Sequence, residues 1–124
     1  MGDEKKKEEA KALPKNQASW WCEYKTKEGK ILTGSFTFKR LTIAELGRLG
    51  ALISQFNGGL PVDKITGFIH TQLAHFRLSV IASPEWWRPE EEFDAALLGK
   101  VFDALMAFED TFQPAEPSEA AGNS

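Results

Sequence analysis

Residues 19–39 read SWWCEYKTKEGKILTGSFTFK, two runs of aromatic and β-branched residues flanking Lys27-Glu28-Gly29. This pattern predicts a β-hairpin, with Gly29 in the left-handed position of a three-residue bulged turn. Setting Thr26 opposite Lys30 fixes the register: Tyr24 faces Leu32, Cys22 faces Gly34 and Trp20 faces Phe36. One face then collects Trp20, Cys22, Tyr24, Leu32, Phe36 and Phe38 and forms the core side. The other carries Glu23, Lys25, Thr33, Ser35 and Thr37, as a wetted face should. It also carries Trp21 and Ile31, which a wetted face does not need.

Downstream of the hairpin the hydrophobic period changes from two to about 3.6. In LTIAEL (residues 41–46), Thr42 is placed to cap a helix while Glu45 reaches back to it, and Leu41 and Leu46 occupy the positions of a hydrophobic staple. The stripe Leu46, Leu49, Ile53, Phe56 carries this first helix to Asn57-Gly58-Gly59, which supplies a left-handed stop, giving a helix over about residues 43–57. A second helix is expected from Pro61 towards Ser83, with Pro61 in its first turn and a stripe running from Ile65 through Phe76 to Val80. Pro84 and Pro89 stiffen the connector that holds Trp86 and Trp87. Glu90, Glu91, Glu92 and Asp94 favour the amino terminus of a third helix, and Leu97, Val101, Leu105, Phe108 and Phe112 mark its apolar face. The expected architecture is α+β and mostly α: an N-terminal β-hairpin followed by three helices packed in one small domain.

The domain is expected over residues 19–112. Residues 1–18 read as a disordered charged tail, since acids and lysines alternate there, and residues 113–124 as a second disordered tail rich in Pro, Ala, Ser and Glu. At 124 residues, with 42% apolar residues, the chain suits one domain with a genuine core. A formal charge of −3 provides no basic excess for a phosphate backbone, so nucleic acid is not an expected partner. Charges interrupt every apolar stretch before bilayer length, so no membrane partner is expected. One cysteine and no apolar leader fit a cytosolic chain.

No constellation of residues spells out a reaction. His70 and His75 lie five apart, roughly 140° around a helix, so they do not share a metal from that helix. Cys22 falls on the inward face of the hairpin, where a thiol behaves as a small hydrophobe. The acids at 90–94 lack the glycine-containing alternation of a calcium loop, and Gly58-Gly59 lacks the spacing of a phosphate cradle. Neither catalytic residue, metal nor cofactor is expected.

The unusual feature is apolar surface. Trp21 and Ile31 on the outer hairpin face, with adjacent Trp86 and Trp87, amount to more aromatic area than one small core covers. Either a protein partner covers Trp21, or helix three or the amino-terminal segment does. Gly47 and Gly50 inside helix one suggest close approach by another backbone, belonging to helix two or to another protein. Trp21, Ile31, Gly47, Gly50, Trp86 and Trp87 are therefore the candidate partner-binding residues.

The order Trp20-Trp21, GSFTF (34–38), LTIAELG (41–47), NGGLPVD (57–63), SPEWW (83–87) and FEDTF (108–112) resembles the small tail-assembly chaperones of long-tailed bacteriophages over most of residues 19–112. The resemblance implies a non-enzymatic protein of the host bacterial cytoplasm, absent from the mature virion. Its implied partner is the tape-measure protein, which it shields during tail assembly, with the tail tube protein as a second partner. It implies neither an oligomeric state nor any catalytic residue. Two other readings fit the same surface: a phage or prophage regulatory adaptor binding another protein, and a minor structural tail or connector component.

Overall fold

A computed structural model describes residues 13–112. Strands β1 (Gln17–Lys25) and β2 (Ile31–Lys39) form the expected hairpin, in the expected register: Trp20 pairs with Phe36, Cys22 with Gly34 and Tyr24 with Leu32. Strand β1 begins two residues ahead of Ser19, because Gln17 and Ala18 find partners in Lys39 and Phe38. At the turn, the Thr26 N–H donates to the Lys30 carbonyl over 2.8 Å and Gly29 adopts φ 92°, the left-handed conformation the bulge requires. The charged ends read as tails lie, apart from residues 13–18, outside the described residues.

Helix α1 (Ile43–Phe56) starts at a complete capping box. The Glu45 N–H donates to Thr42 Oγ1 over 3.1 Å, and the Thr42 N–H donates to Glu45 Oε1 over 2.9 Å. It stops at Gly58 and Gly59, both left-handed at φ 70° and 74°. Helix α2 (Lys64–Ser79) starts three residues later than Pro61, because Asp63 is the cap: its carboxylate accepts the Thr66 N–H over 3.2 Å.

The main departure from expectation is at the other end of α2. Val80, read as the last residue of its stripe, leaves the helix and opens strand β3 (Val80–Ala82), which pairs antiparallel with β2 through Phe38–Val80 and Thr37–Ala82. The sheet is thus three-stranded, in the order β1-β2-β3. The unpaired edge of β2 and the β-branched pair Val80-Ile81 outweigh one more helical turn just ahead of Pro84. Pro89–Glu91 form a short 3-10 turn, so the glutamates do not open the last helix. Asp94 caps α3 (Ala95–Asp110), its Oδ1 accepting the Ala96 N–H over 3.0 Å.

Helix α3 lies against the inner sheet face. Cys22, Phe36 and Phe38 from the sheet, Phe76 from α2, and Leu97, Val101 and Leu105 from α3 form the buried centre. Trp20, Tyr24 and Leu32 close its edges, so the six inward residues read from the hairpin all belong to this core. Helix α1 does not enter it. It packs chiefly along α2, and none of its fourteen residues is buried.

Candidate interaction surface

Trp86 and Trp87 turn towards the core rather than outwards. The Trp87 ring meets the edges of Phe36 and Phe76, each at 5.1 Å between centroids. Trp86 packs edge-on to Phe36 at 5.9 Å, and its indole N–H donates to the Thr33 carbonyl over 2.9 Å. Both rings remain half-buried, so they close the connector over the sheet and offer a partner only their rims. The connector sits on Gly34: a Cβ there would lie 2.2 Å from Pro84 Cγ and 2.6 Å from Pro84 Cβ. The absence of a side chain at residue 34 is what lets Pro84 dock and Trp86 reach Thr33, a role the sequence alone did not single out.

Trp21 and Ile31 do lie on the outer sheet face, 45% and 62% exposed. They form no single cluster. Trp21 pairs with Ser35 and Ile31 with Lys25, which separates them by four residues along β2. Because α3 occupies the inner face, helix three is not what flanks Trp21. Ile81 adds a third apolar side chain to the exposed surface of the sheet.

A second exposed apolar surface is on α1. Leu49, Leu52, Ile53 and Phe56 are its half-buried residues. At its end, Phe56 stacks on His70 at 5.8 Å with Arg77 4.9 Å over its ring, while Asn57 Oδ1 lies 2.6 Å from His70 Nδ1. Ile43, Leu46, Gly47, Gly50 and Ser54 recur at helical spacing on the outward side, with Ile43 88% and Leu46 52% exposed. A Cβ at Gly47 or at Gly50 would meet nothing within 4 Å, so α2 is not the neighbour these glycines suggested. Leu46, read as part of the inward stripe, faces out, while Leu52 takes an inward place. The whole helix carries two charges, Arg48 and Glu45. Glu45 is committed to the capping box and to an ion pair with Lys39, which together hold its carboxyl down at about 2. Such a low charge density is unusual for a helix with no buried residue, and it is legible in the sequence.

The titratable groups serve the fold. A cleft of about 550 Å³ separates the hairpin turn from the start of α3, lined by Lys27, Glu28, Glu92 and Asp94 among others. Its central contact is already made, as the Tyr24 hydroxyl donates to Asp94 Oδ2 over 2.6 Å. That hydrogen bond, with burial and the charges of Asp94 and Glu92, pushes the Tyr24 phenol up to about 12, and it holds the Asp94 carboxyl below its ordinary range. Burial pushes the Cys22 thiol up, away from the thiolate a nucleophile needs. Burial also lowers His75, whose ring meets Phe102 edge-on at 5.4 Å. Among the described residues no three His, Cys, Asp or Glu side chains converge to hold a metal ion, and no helix is long and apolar enough to cross a membrane.

Compared with protein-family models, curated proteins and solved structures, the chain matches none. The candidate site therefore rests on its own geometry: an unburied, nearly uncharged helix beside a sheet with apolar residues on its outer face.

Proposed function

We propose that this protein is a non-enzymatic tail-assembly chaperone of a long-tailed bacteriophage, which shields apolar helical stripes of the tape-measure protein in the host cytoplasm and departs before the virion is complete. The observation that carries the reading is the outward face of α1, where Ile43, Leu46, Gly47 and Gly50 form an apolar, low-relief track that no other described residue covers. Apolar side chains at i and i+3, beside glycines at i+4 and i+7, suit helix-against-helix docking, and the glycines let the client backbone come close. The acidic balance of the chain, −3, helps keep an otherwise apolar complex soluble. Trp21 and Ile31 extend the surface on the sheet, and the tube protein is the second client.

The test is co-expression with the tape-measure protein of the same phage genome. A soluble complex should form with the wild-type chain. Leu46→Ser, a change at a half-exposed position, should leave the chain folded while the client precipitates. A tape-measure protein equally soluble without the chain, or recovery of the chain in purified virions, refutes the proposal.

A further inference from the structure

Independently of any client, we infer that this chain forms a two-fold dimer in which Phe93 of each copy inserts into the groove between α2 and α3 of the other. Phe93 is fully exposed, which is unusual for the largest side chain of a short acidic loop. It is also held in place. Glu92 Oε2 accepts the N–H groups of both Phe93 and Asp94, each over 3.1 Å, and Asp94 in turn caps α3. A fully solvated aromatic on a fixed backbone is a partly preorganised anchor, since little loop freedom remains to be lost on binding.

The groove has matching features. Ile65, Phe68 and Ile69 of α2 wall it, Ala95 and Gly99 of α3 floor it, and it encloses about 350 Å³, room for one aromatic ring. A Cβ at Gly99 would meet nothing within 4 Å, so the floor is open. Gln72 lines the same groove and is only 4% exposed. A polar residue in an otherwise apolar lining favours an occupant that brings a polar group along with its apolar one. The backbone carbonyls of the Glu92-Phe93 loop supply acceptors, because the side chain of Glu92 engages only the N–H groups there. Lys64 at the groove wall is complemented by the acids Glu91 and Glu92 that flank the incoming ring.

A second copy fits better than the remaining occupants within reach of this chain. Residues 1–12 and 113–124 contain no aromatic residue and no large apolar side chain except Met1, so neither terminal segment can fill an apolar groove. Anchor and groove adjoin: Phe93 precedes by two residues the Ala95 that lines the groove, and Ala95 and Ala96 are small and exposed. A two-fold axis beside these alanines places both insertions in one self-complementary interface. Two rings of about 150–250 Å² each, with the walls they cover, bury on the order of 1,000 Å², the low end for a specific contact. The dimer is therefore concentration-dependent and exchanging.

Sedimentation velocity on the full chain from about 1 to 300 μM reads this directly, that range bracketing the weak affinities such small interfaces give. The mass should rise from 13.8 kDa towards twice that value. Phe93→Ala should weaken association at least about 100-fold, as two ring burials are lost per dimer. Gly99→Leu, which fills the groove, should do the same with an unchanged circular dichroism spectrum. Should Gly99→Leu fail to fold, the exposed Phe93 position still carries the test. Mixing the two variants should restore association above either alone, because one anchor and one intact groove then meet. A monomer at every concentration, a dimer indifferent to Phe93→Ala, or mass climbing beyond the dimer each overturns the inference.

Discussion

The same substitution, glycine to alanine, should have opposite effects at two places in this chain. At Gly34 a new Cβ would lie 2.2 Å from Pro84 Cγ, roughly 1.5 Å inside ordinary carbon–carbon contact. The proline ring cannot rotate away, so the connector must shift, and with it the Trp86 hydrogen bond to Thr33. Overpacking of this kind costs about 1–3 kcal/mol, and a lost hydrogen bond about 1 kcal/mol. The gain from replacing a strand glycine, about 0.5–1 kcal/mol, offsets only part of that. Gly34→Ala should therefore destabilise by about 2–3 kcal/mol, lowering the thermal midpoint by about 10–20 °C for a domain of this size. At Gly47 and Gly50 the new Cβ meets nothing, and each alanine should stabilise α1 by about 0.5–1 kcal/mol. Urea titration of the three variants beside the wild type measures all of this. Client binding then divides the reasoning further: if these glycines admit a client backbone, Gly47→Ala and Gly50→Ala should be more stable and yet bind more weakly. A neutral Gly34→Ala would refute the docking of Pro84 on the sheet. Stabilised glycine variants with undiminished binding would refute the role assigned to the outer face of α1.

Three further variants test the described contacts. Thr42→Ala removes one half of the capping box and should cost about 1 kcal/mol, read as a lower urea midpoint at unchanged slope. Tyr24, raised from 10 to about 12, favours the folded state fully below pH 10 and loses that contribution as the pH climbs through about 12; Tyr24→Phe should flatten this alkaline limb of the thermal midpoint. Asp94, lowered from 3.8, contributes above that pH and loses its contribution on acidification, so the same variant should also soften the acid limb. His75 is lowered from 6.5 by burial, so its neutral form favours the fold above that pH and stability falls as the pH drops below it; His75→Leu should lessen the fall in midpoint between pH 7 and pH 5.

The hairpin was legible because each level of information agreed there. Alternation chose the inward face, Gly29 chose the turn, and the turn fixed the register to the residue. The capping box was equally local and equally readable. What escaped was set by tertiary competition. Val80 continues a helical stripe in sequence, and only the free edge of β2 makes it a strand residue. Trp86 and Trp87 gave no local sign of direction, because the feature that turns them in is an empty position fifty residues earlier, at Gly34. On α1 the tryptophan-free sequence drew attention only to its glycines. That Leu46 faces outwards follows from α1 lying chiefly on α2, a placement no period within the helix specifies.

The molecule divides into a body and an arm held by different forces. In the body, the sheet, α3 and the end of α2 share a core of aromatic and aliphatic side chains with fully buried members. Helix α1 has none, and what holds it is a capping box, the Lys39–Glu45 ion pair, and the contacts of Phe56 and Asn57 with His70 and Arg77. Elements with so little burial open locally at a free energy well below that of global unfolding. Two interior glycines weaken the same helix by a further ~1–2 kcal/mol, in the element with the least stability to spare. Among the described residues nothing compensates for them, since no neighbour uses the space they leave. A partner that binds the docked helix and not the opened one supplies the missing burial and shifts that local equilibrium by its difference in affinity. On the proposed function, client binding and the ordering of α1 would be one coupled process, in which the glycines weaken the free arm and fit the bound one.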